Sequence, residues 1–407
     1  MPLNPPRRVG YRRLMWLLAG LSMFGPFAID TMFPAFPRIG AEFGVDKLML
    51  QQTISAYLFS YALMCLVHGP VSDAVGRKPV ILTGVIVFLL ASIGCAMATS
   101  MPMLLAFRAL QGVSAGVGMI VGRAVIRDLH AGADAQRLMS QISMIFGVAP
   151  AIAPVVGGWL LGWGDWRIIF WFLAGFAALI WIAALIVLPE SHAPAYRTPV
   201  RAASLVRSYR DILLDPPFLR LSVVAGLNFA GFFVYIASAP EFVLHHLGLG
   251  EGDFGWFFAP SIAGMVIGAF ASSKLAGKVP PSQQVRYGFI LATLAVVSNL
   301  LYSGLATHIA LPWAVLPTFL YAGSAALIAP VLNLAVLDRF PLHRGTASSM
   351  QAFISTAGNA IVAGVVSPLV SHTPLGLALA MAAFALAARL VWMWHLHAEK
   401  KANTDRP

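Results

Sequence analysis

Apolar positions along this chain gather into long runs separated by short polar connections. Twelve such runs lie at roughly 14–36, 48–70, 80–99, 102–126, 138–162, 166–188, 218–241, 253–275, 285–306, 309–336, 346–370 and 375–397. A helix needs about 20 apolar residues to cross the hydrocarbon layer, so each run is a candidate span. Only helices and closed barrels satisfy every backbone group in lipid, and runs this long without period-2 alternation exclude a barrel. The longest hydrophilic stretch, Pro189 to Pro217, carries Pro, Arg and Ser and leaves six runs on each side. The predicted fold is an all-α membrane protein of twelve transmembrane helices in two pseudo-symmetric six-helix bundles. The N-terminal bundle covers 1–189, a cytoplasmic linker 190–217 and the C-terminal bundle 218–407.

A weak internal repeat supports this division. Arg127-Asp128 closes the fourth run and Asp338-Arg339 the tenth, and each is followed by a short turn and a basic residue, Arg137 or Arg344. The segment Lys274–Pro281 occupies the place of a second copy of the loop Gly69–Pro79. Two parallel six-helix repeats joined by a linker predict a secondary transporter with a midplane site between the halves.

Composition agrees. The chain is 59% hydrophobic and 11% charged, against about 25% charged in soluble domains. The net charge of +11 does not form one patch, so no nucleic acid partner is expected. The basic residues recur in bursts between spans. With the N-terminus inside, 21 Lys and Arg fall on the cytoplasmic side, Arg7, Arg8, Arg201 and Arg406 among them, and only Arg38, Lys47 and Arg167 outside. This asymmetry predicts that both termini are cytoplasmic. The run from Leu14 to about Phe36 is too long for a cleaved signal peptide and is taken as the first span. Cys65 and Cys95 lie inside apolar runs as buried small hydrophobes, and no His/Cys cluster suggests a metal. No cofactor is expected. The absence of GxxxxGK[ST] excludes an ATP-driven pump.

Few ionisable groups fall inside the spans: Asp30, Arg108, Arg123, Arg389 and, at the margins, Glu241 and Asp338. Each costs about 2.5–3.5 kcal/mol at a helix centre. Asp30 and Arg108 each sit about six residues from the outer end of their runs, roughly 9 Å deep at 1.5 Å per residue. Equal depth permits them to pair. Asp30 is the best proton carrier in the chain. Arg108 does not titrate, so it either tunes Asp30 or holds a carbonyl, and a static pair orienting two helices is the alternative. Arg123 reaches a carbonyl or Asp128, Arg389 snorkels toward the cytoplasm, and Glu241 is displayed at the external interface. Tyr57, Tyr61, Gln111, Asn228, Phe232, Tyr235, Asn333, Gln351 and Asn359 stand at depths suited to a substrate cavity with apolar walls and a few polar groups.

The connection Gly69-Pro70-Val71-Ser72-Asp73-Ala74-Val75-Gly76-Arg77-Lys78-Pro79 is a short charged turn between two spans, suited to latching a bundle at its cytoplasmic end. Asp73, between the dipole end of a neighbouring helix and an arginine, would form the latch. Pro150 and Pro154 remove two backbone donors from the fifth span and predict a bend. Small residues there, Gly157 and Gly158 among them, allow close helix approach. Gly112, Gly116, Gly118 and Gly122 do the same for the fourth.

These residues resemble the major facilitator superfamily. Gly69…Asp73…Gly76-Arg77-Lys78 is similar to its loop signature, Arg108-Ala109-Leu110-Gln111-Gly112 to its second motif, and Ala153-Pro154-Val155-Val156-Gly157-Gly158 to its antiporter motif. Phe27-Ala28-Ile29-Asp30-Thr31 through Pro37, with Arg123…Arg127-Asp128, resembles the Bcr/CflA drug-resistance branch. The resemblance covers the full length. It implies export of a small-molecule drug in exchange for protons, with the proton gradient as energy source, by a multi-pass monomer in the bilayer of the bacterial inner (plasma) membrane. It also implies proton coupling at Asp30 and Arg108, and a cytoplasmic gate at Gly69, Asp73, Gly76, Arg77, Lys78, Arg127 and Asp128. Ala74 departs from the arginine usual after Asp73, Ala149 and Ala153 from glycines of the wider antiporter pattern, and Ser22 provides no second carboxylate in the first span. The alternative is a proton-coupled uptake symporter for a small metabolite. No HExxH and no nucleophile–base pair suggests an enzyme.

Overall fold

The computed structural model describes residues 10–130, 132–197, 202–340 and 344–404, and among them there is no β-strand. Arg7, Arg8, Arg201 and Arg406 lie outside the described residues. Among the described residues eleven helices are long and apolar enough to cross a bilayer, and two more, bent by 48° at a short break, make up to twelve if taken as one span. The chain divides into two compact units, Met1–Leu205 and Val206–Pro407.

In the first unit the opening span is segmented into α1 (Tyr11–Ser22), α2 (Phe24–Asp30), a 3-10 turn at Phe33–Ala35 and α3 (Phe36–Phe43). Pro34 has no N–H to return to the Asp30 carbonyl, and Pro37 none for Phe33, which tightens the chain at this point. The helix runs to Phe43, past the expected end at 36, and stops where Gly44 turns left-handed at φ 61°. Asp30 is therefore thirteen residues from its end rather than six, and its depth does not match that of Arg108 by residue counting.

The second crossing is α4 (Lys47–Cys65) followed by α5 (His68–Val75), and α6 (Arg77–Ala96) starts one residue later. The expected charged turn is thus mostly helix. Pro70 sits in the first turn of α5, where its missing N–H is harmless, and only Gly76, at φ 114°, breaks the chain. Then come α7 (Met101–Leu129), α8 (Gly132–Leu161) and α9 (Arg167–Val187). α8 continues through Pro150 and Pro154 without a break in its helical course. α7 packs on α4 and α6. A Cβ on Gly112 would lie 2.9 Å from the Tyr57 carbonyl carbon, and one on Gly118 2.6 Å from that of Leu21, so hydrogen alone fits.

The expected linker contains α10 (Ala202–Leu213). The second unit continues with α11 (Pro216–Ala237), a π-helical segment Glu241–His246, α12 (Gly255–Leu275), α13 (Pro281–Leu305) and α14 (Leu316–Arg339). It ends with α15 (Arg344–Ile361), a second π-helical segment Val362–Val366, α16 (Ser367–Val370) and α17 (Pro374–Thr404). The tenth span starts at Leu316, later than the expected 309, because the apolar residues 311–315 form turns. Hydrophobicity does not separate an apolar turn from helix. α14 packs on α11, α12 and α13.

Candidate transport site

Asp30 closes α2 and is 4% exposed. Among the described residues its carboxyl has no hydrogen-bond or ion-pair partner. The pairing with Arg108 that equal depth suggested is not formed. Arg108, 0% exposed, instead donates from Nη1 to the Ala28 carbonyl at 2.9 Å and from Nε to the Thr53 carbonyl at 3.2 Å. Nη1 also donates to Gln111 Oε1 at 2.7 Å, and Gln111 Nε2 donates to Ser92 Oγ at 2.8 Å. The segmented first span presents one of these acceptors, the Ala28 carbonyl, at the end of α2, and the guanidinium fork can serve several acceptors at once. Its Nη2 is buried without a partner. The Tyr57 ring lies under it, 4.7 Å from centroid to Cζ, a cation–π contact. Tyr57 is within electrostatic reach of both Asp30 and Arg108, and its hydroxyl is buried without a partner. Gln111, expected on a cavity wall, is buried inside this chain of bonds.

The second cluster gathers around Arg77 at the start of α6. Its guanidinium donates to Asp73 Oδ1 (2.5 Å), Ser72 Oγ (2.6 Å) and Asp128 Oδ2 (3.1 Å). Its backbone N–H donates to Glu190 Oε1 at 3.0 Å, and Ser191 Oγ donates to Asp128 Oδ2 at 2.9 Å. Arg197 approaches Glu190 Oε2 at 3.8 Å. Gly76 is required here twice over: its φ is left-handed, and a Cβ would stand 2.8 Å from Arg197 Nη2. Gly69, by contrast, is helical, and a Cβ added there would meet no atom within 4 Å. Lys78 Nζ donates to the Leu185 carbonyl at 3.0 Å, and Arg127 is exposed in the last turn of α7. Asp128 is held by Arg77 and Ser191, not by Arg123.

The second unit also carries an ion pair at the end of its fourth span. Arg339, ending α14, grips Asp215, the N-cap of α11, through Nε–Oδ2 and through Nη2–Oδ1 at 2.6 Å. Asp215 also accepts from the Phe218 N–H at 2.9 Å. Desolvation pushes this carboxyl up, but the bonds from Arg339 and Phe218 and the Arg339 charge outweigh it and hold it below the usual carboxylate range.

The remaining cavity candidates scatter. Tyr61 lies beside Tyr57 with centroids 6.4 Å apart and the rings tilted by 54°. Asn333 accepts from Gln351 Nε2 at 3.0 Å. Tyr235 accepts from Asn299 Nδ2 at 2.8 Å and meets Phe242 edge-on. Phe232 packs on Phe229. Asn228 and Asn359 each bury an Oδ1 without a partner. Gly157 lets α8 press on the first span, since a Cβ would lie 2.8 Å from the Thr31 carbonyl carbon; Gly158 is half-buried. Glu241, expected in solvent, is 9% exposed and pairs with His245 at 3.2 Å. Arg389 donates to Thr293 Oγ1 at 3.5 Å. Sequence reasoning missed Ser92, Asn299, Glu190 and Ser191. The two serines and the asparagine are unremarked polar residues in or beside spans, and Glu190 opens the linker with only its charge as a signal.

Two helical units, each with membrane-length spans and buried polar groups at mid-span, define a polytopic membrane transporter. Residues 15–363 match the Major Facilitator Superfamily, and the chain belongs to that family; it is a transporter and not an enzyme. It is 26% identical to a bicyclomycin resistance protein homolog of Haemophilus influenzae, covering 91% of this chain and 93% of that protein. It is 28% identical to multidrug resistance protein D of Escherichia coli (strain K12), covering 93% and 95%. Among solved structures it resembles the human organic anion transporter MFSD10 (TM-score 0.70, 19% identity, 94% and 99% covered). It also resembles a bacterial homolog of the human lysosomal transporter Spinster in an inward-facing, occupied conformation (TM-score 0.73, 17% identity, 96% and 97% covered). These two likenesses bear on the fold.

Proposed function

We propose that the protein exports drugs or small amphipathic compounds in exchange for protons, by alternating access, as a monomer in the bacterial inner membrane with both termini cytoplasmic. The observation that carries this reading is the Asp30 carboxyl: buried, at a break in the first span, and without an ion-pair partner. Such a group gains or loses a proton without first breaking a salt bridge. Relatives named for bicyclomycin and multidrug resistance support the export direction, and the 21-to-3 asymmetry of basic residues supports the topology. Protonation from the outside favours substrate release, and deprotonation toward the cytoplasm readies the site for substrate. The Arg77 cluster ties the inner ends of α5, α6 and α7 to Glu190 and serves as the cytoplasmic gate.

The test is proton-driven drug or dye uptake into everted vesicles. Asp30→Asn loses gradient-driven uptake at least about tenfold while downhill substrate binding persists. Undiminished antiport in that variant refutes Asp30 as the carrier. Increased drug accumulation in intact cells on expression favours uptake symport instead.

A further inference from the structure

The first unit holds a cavity of about 230 Å³ between α1, α7 and α8, lined among others by Leu18, Ser22, Met119, Arg123, Met139 and Ile142. Among the described residues Arg123 is the one charged residue on its wall. It lies inside the α7 span, is exposed, and among the described residues has neither a hydrogen bond nor an ion pair. Its charge also reaches Tyr61 and Cys65 on α4. The acids that could have neutralised it are committed elsewhere. Asp128, one turn on, binds Arg77 and Ser191; Asp73 binds Arg77. Asp30 lies outside the cavity lining. Position 22, which lines the same cavity from α1, is a serine whose hydroxyl donates to the Ala19 carbonyl at 2.6 Å.

An uncompensated guanidinium in a membrane span is costly, and a carboxylate or sulfonate entering the cavity offers it a charge-assisted, bidentate partner. The flexible Met119 and Met139 side chains suit an apolar body of variable shape. We propose that this cavity is a substrate subsite that selects amphipathic organic anions, with Arg123 as the counter-charge and Ser22 as the permissive position that keeps it electropositive. The proposal deepens the export reading and rests on it for physiological meaning, but the binding preference is measured without any gradient.

The experiment measures equilibrium binding to the purified full-length protein by competition with matched probes: 4-butylbenzoate, its carboxamide, and the cation tetraphenylphosphonium. The wild type binds the carboxylate at least about tenfold tighter than the carboxamide, as expected for one charged hydrogen-bonded contact. Arg123→Gln brings the two to within about twofold, while Arg123→Lys retains part of the preference. Ser22→Glu, which puts a carboxylate on the wall of the same cavity, weakens 4-butylbenzoate about tenfold and strengthens tetraphenylphosphonium. Equal affinity for acid and amide in the wild type, no binding of either, or an unchanged preference in both Arg123→Gln and Ser22→Glu overturns the subsite. Asp30→Asn separates the two readings: it keeps the carboxylate preference if the subsite is right, whatever happens to proton-driven transport.

Discussion

Two glycines on one helix give opposite predictions. In α8, a methyl on Gly157 would stand 2.8 Å from the Thr31 carbonyl carbon and nearer still to its oxygen, whereas one on Gly147 meets nothing within 4 Å. To reach the 3.4 Å of ordinary contact, Gly157→Ala must push α8 from the first span by at least about 0.6 Å, and backbone, unlike a side chain, has no rotamer to yield. Overpacking of this kind costs about 1–3 kcal/mol, partly offset by the roughly 0.5–1 kcal/mol that alanine gains over glycine within a helix. The net, about 1.5 kcal/mol, lowers the melting midpoint of a unit this size by about 3–6 °C at 2–4 °C per kcal/mol. Gly147→Ala retains only the gain and raises the midpoint by about 1–4 °C. The assay is thermal unfolding of detergent-purified protein, followed at a fixed heating rate because membrane proteins unfold irreversibly. Shifts of the same sign for the two variants refute the close-approach argument. Since Thr31 adjoins Asp30, the proposed function further predicts that Gly157→Ala reduces proton-driven uptake and Gly147→Ala leaves it intact.

Gly76→Ala, forced into a left-handed φ and against Arg197, destabilises the inner end of the first unit by about 1–3 kcal/mol, read as a lower melting midpoint, whereas Gly69→Ala is neutral. Arg108→Lys lacks the planar fork that reaches the Ala28 and Thr53 carbonyls together; it lowers stability by about 1.5–3 kcal/mol and abolishes transport, and wild-type melting behaviour in that variant would contradict the role. Because the Asp215 carboxyl is held below its ordinary value of about 3.9, its contribution is fully present above that pH and is lost as pH falls through the lowered folded value. The melting difference between wild type and Asp215→Asn is therefore present at pH 7 and shrinks below about pH 4, and a difference constant across that range would sink the assignment.

The spans were legible in the sequence because lipid leaves a run of about 20 apolar residues few alternatives to helix. What went unread depends on backbone geometry. Nothing in composition marks the short helix His68–Val75 inside the charged connection, since Gly-Pro signals a turn as readily as a first helical turn. The apolar turn before Leu316 carries the same hydropathy as the span it precedes. The partners of Arg108 were beyond reach for a different reason. Depth counted along a helix assumes continuity, and the first span runs on past the tightening at Pro34 to Phe43, while the carbonyls that Arg108 takes, one at the end of α2 and one within α4, carry no mark in the sequence.

That tightening gives the candidate site its logic. A guanidinium next to a carboxylate in a low-dielectric core would ordinarily close into an ion pair, and the pair would then have to be broken whenever the proton moved. Here three of the bonds Arg108 makes go to neutral acceptors, two of them backbone carbonyls of adjacent spans. Its charge remains near Tyr57, which Asp30 also reaches, without closing a pair with the acid. The arginine thus fixes the segment that carries the acid without engaging the acid itself, which is what the proposed proton exchange at Asp30 requires, and its Nη2 is buried without a partner. The order of effects in a double-mutant cycle follows: Arg108→Gln costs stability whether residue 30 is Asp or Asn, because its bonds are to backbone and Gln111. A coupling between positions 30 and 108 above about 1 kcal/mol in melting experiments would show instead that the two side chains pair after all.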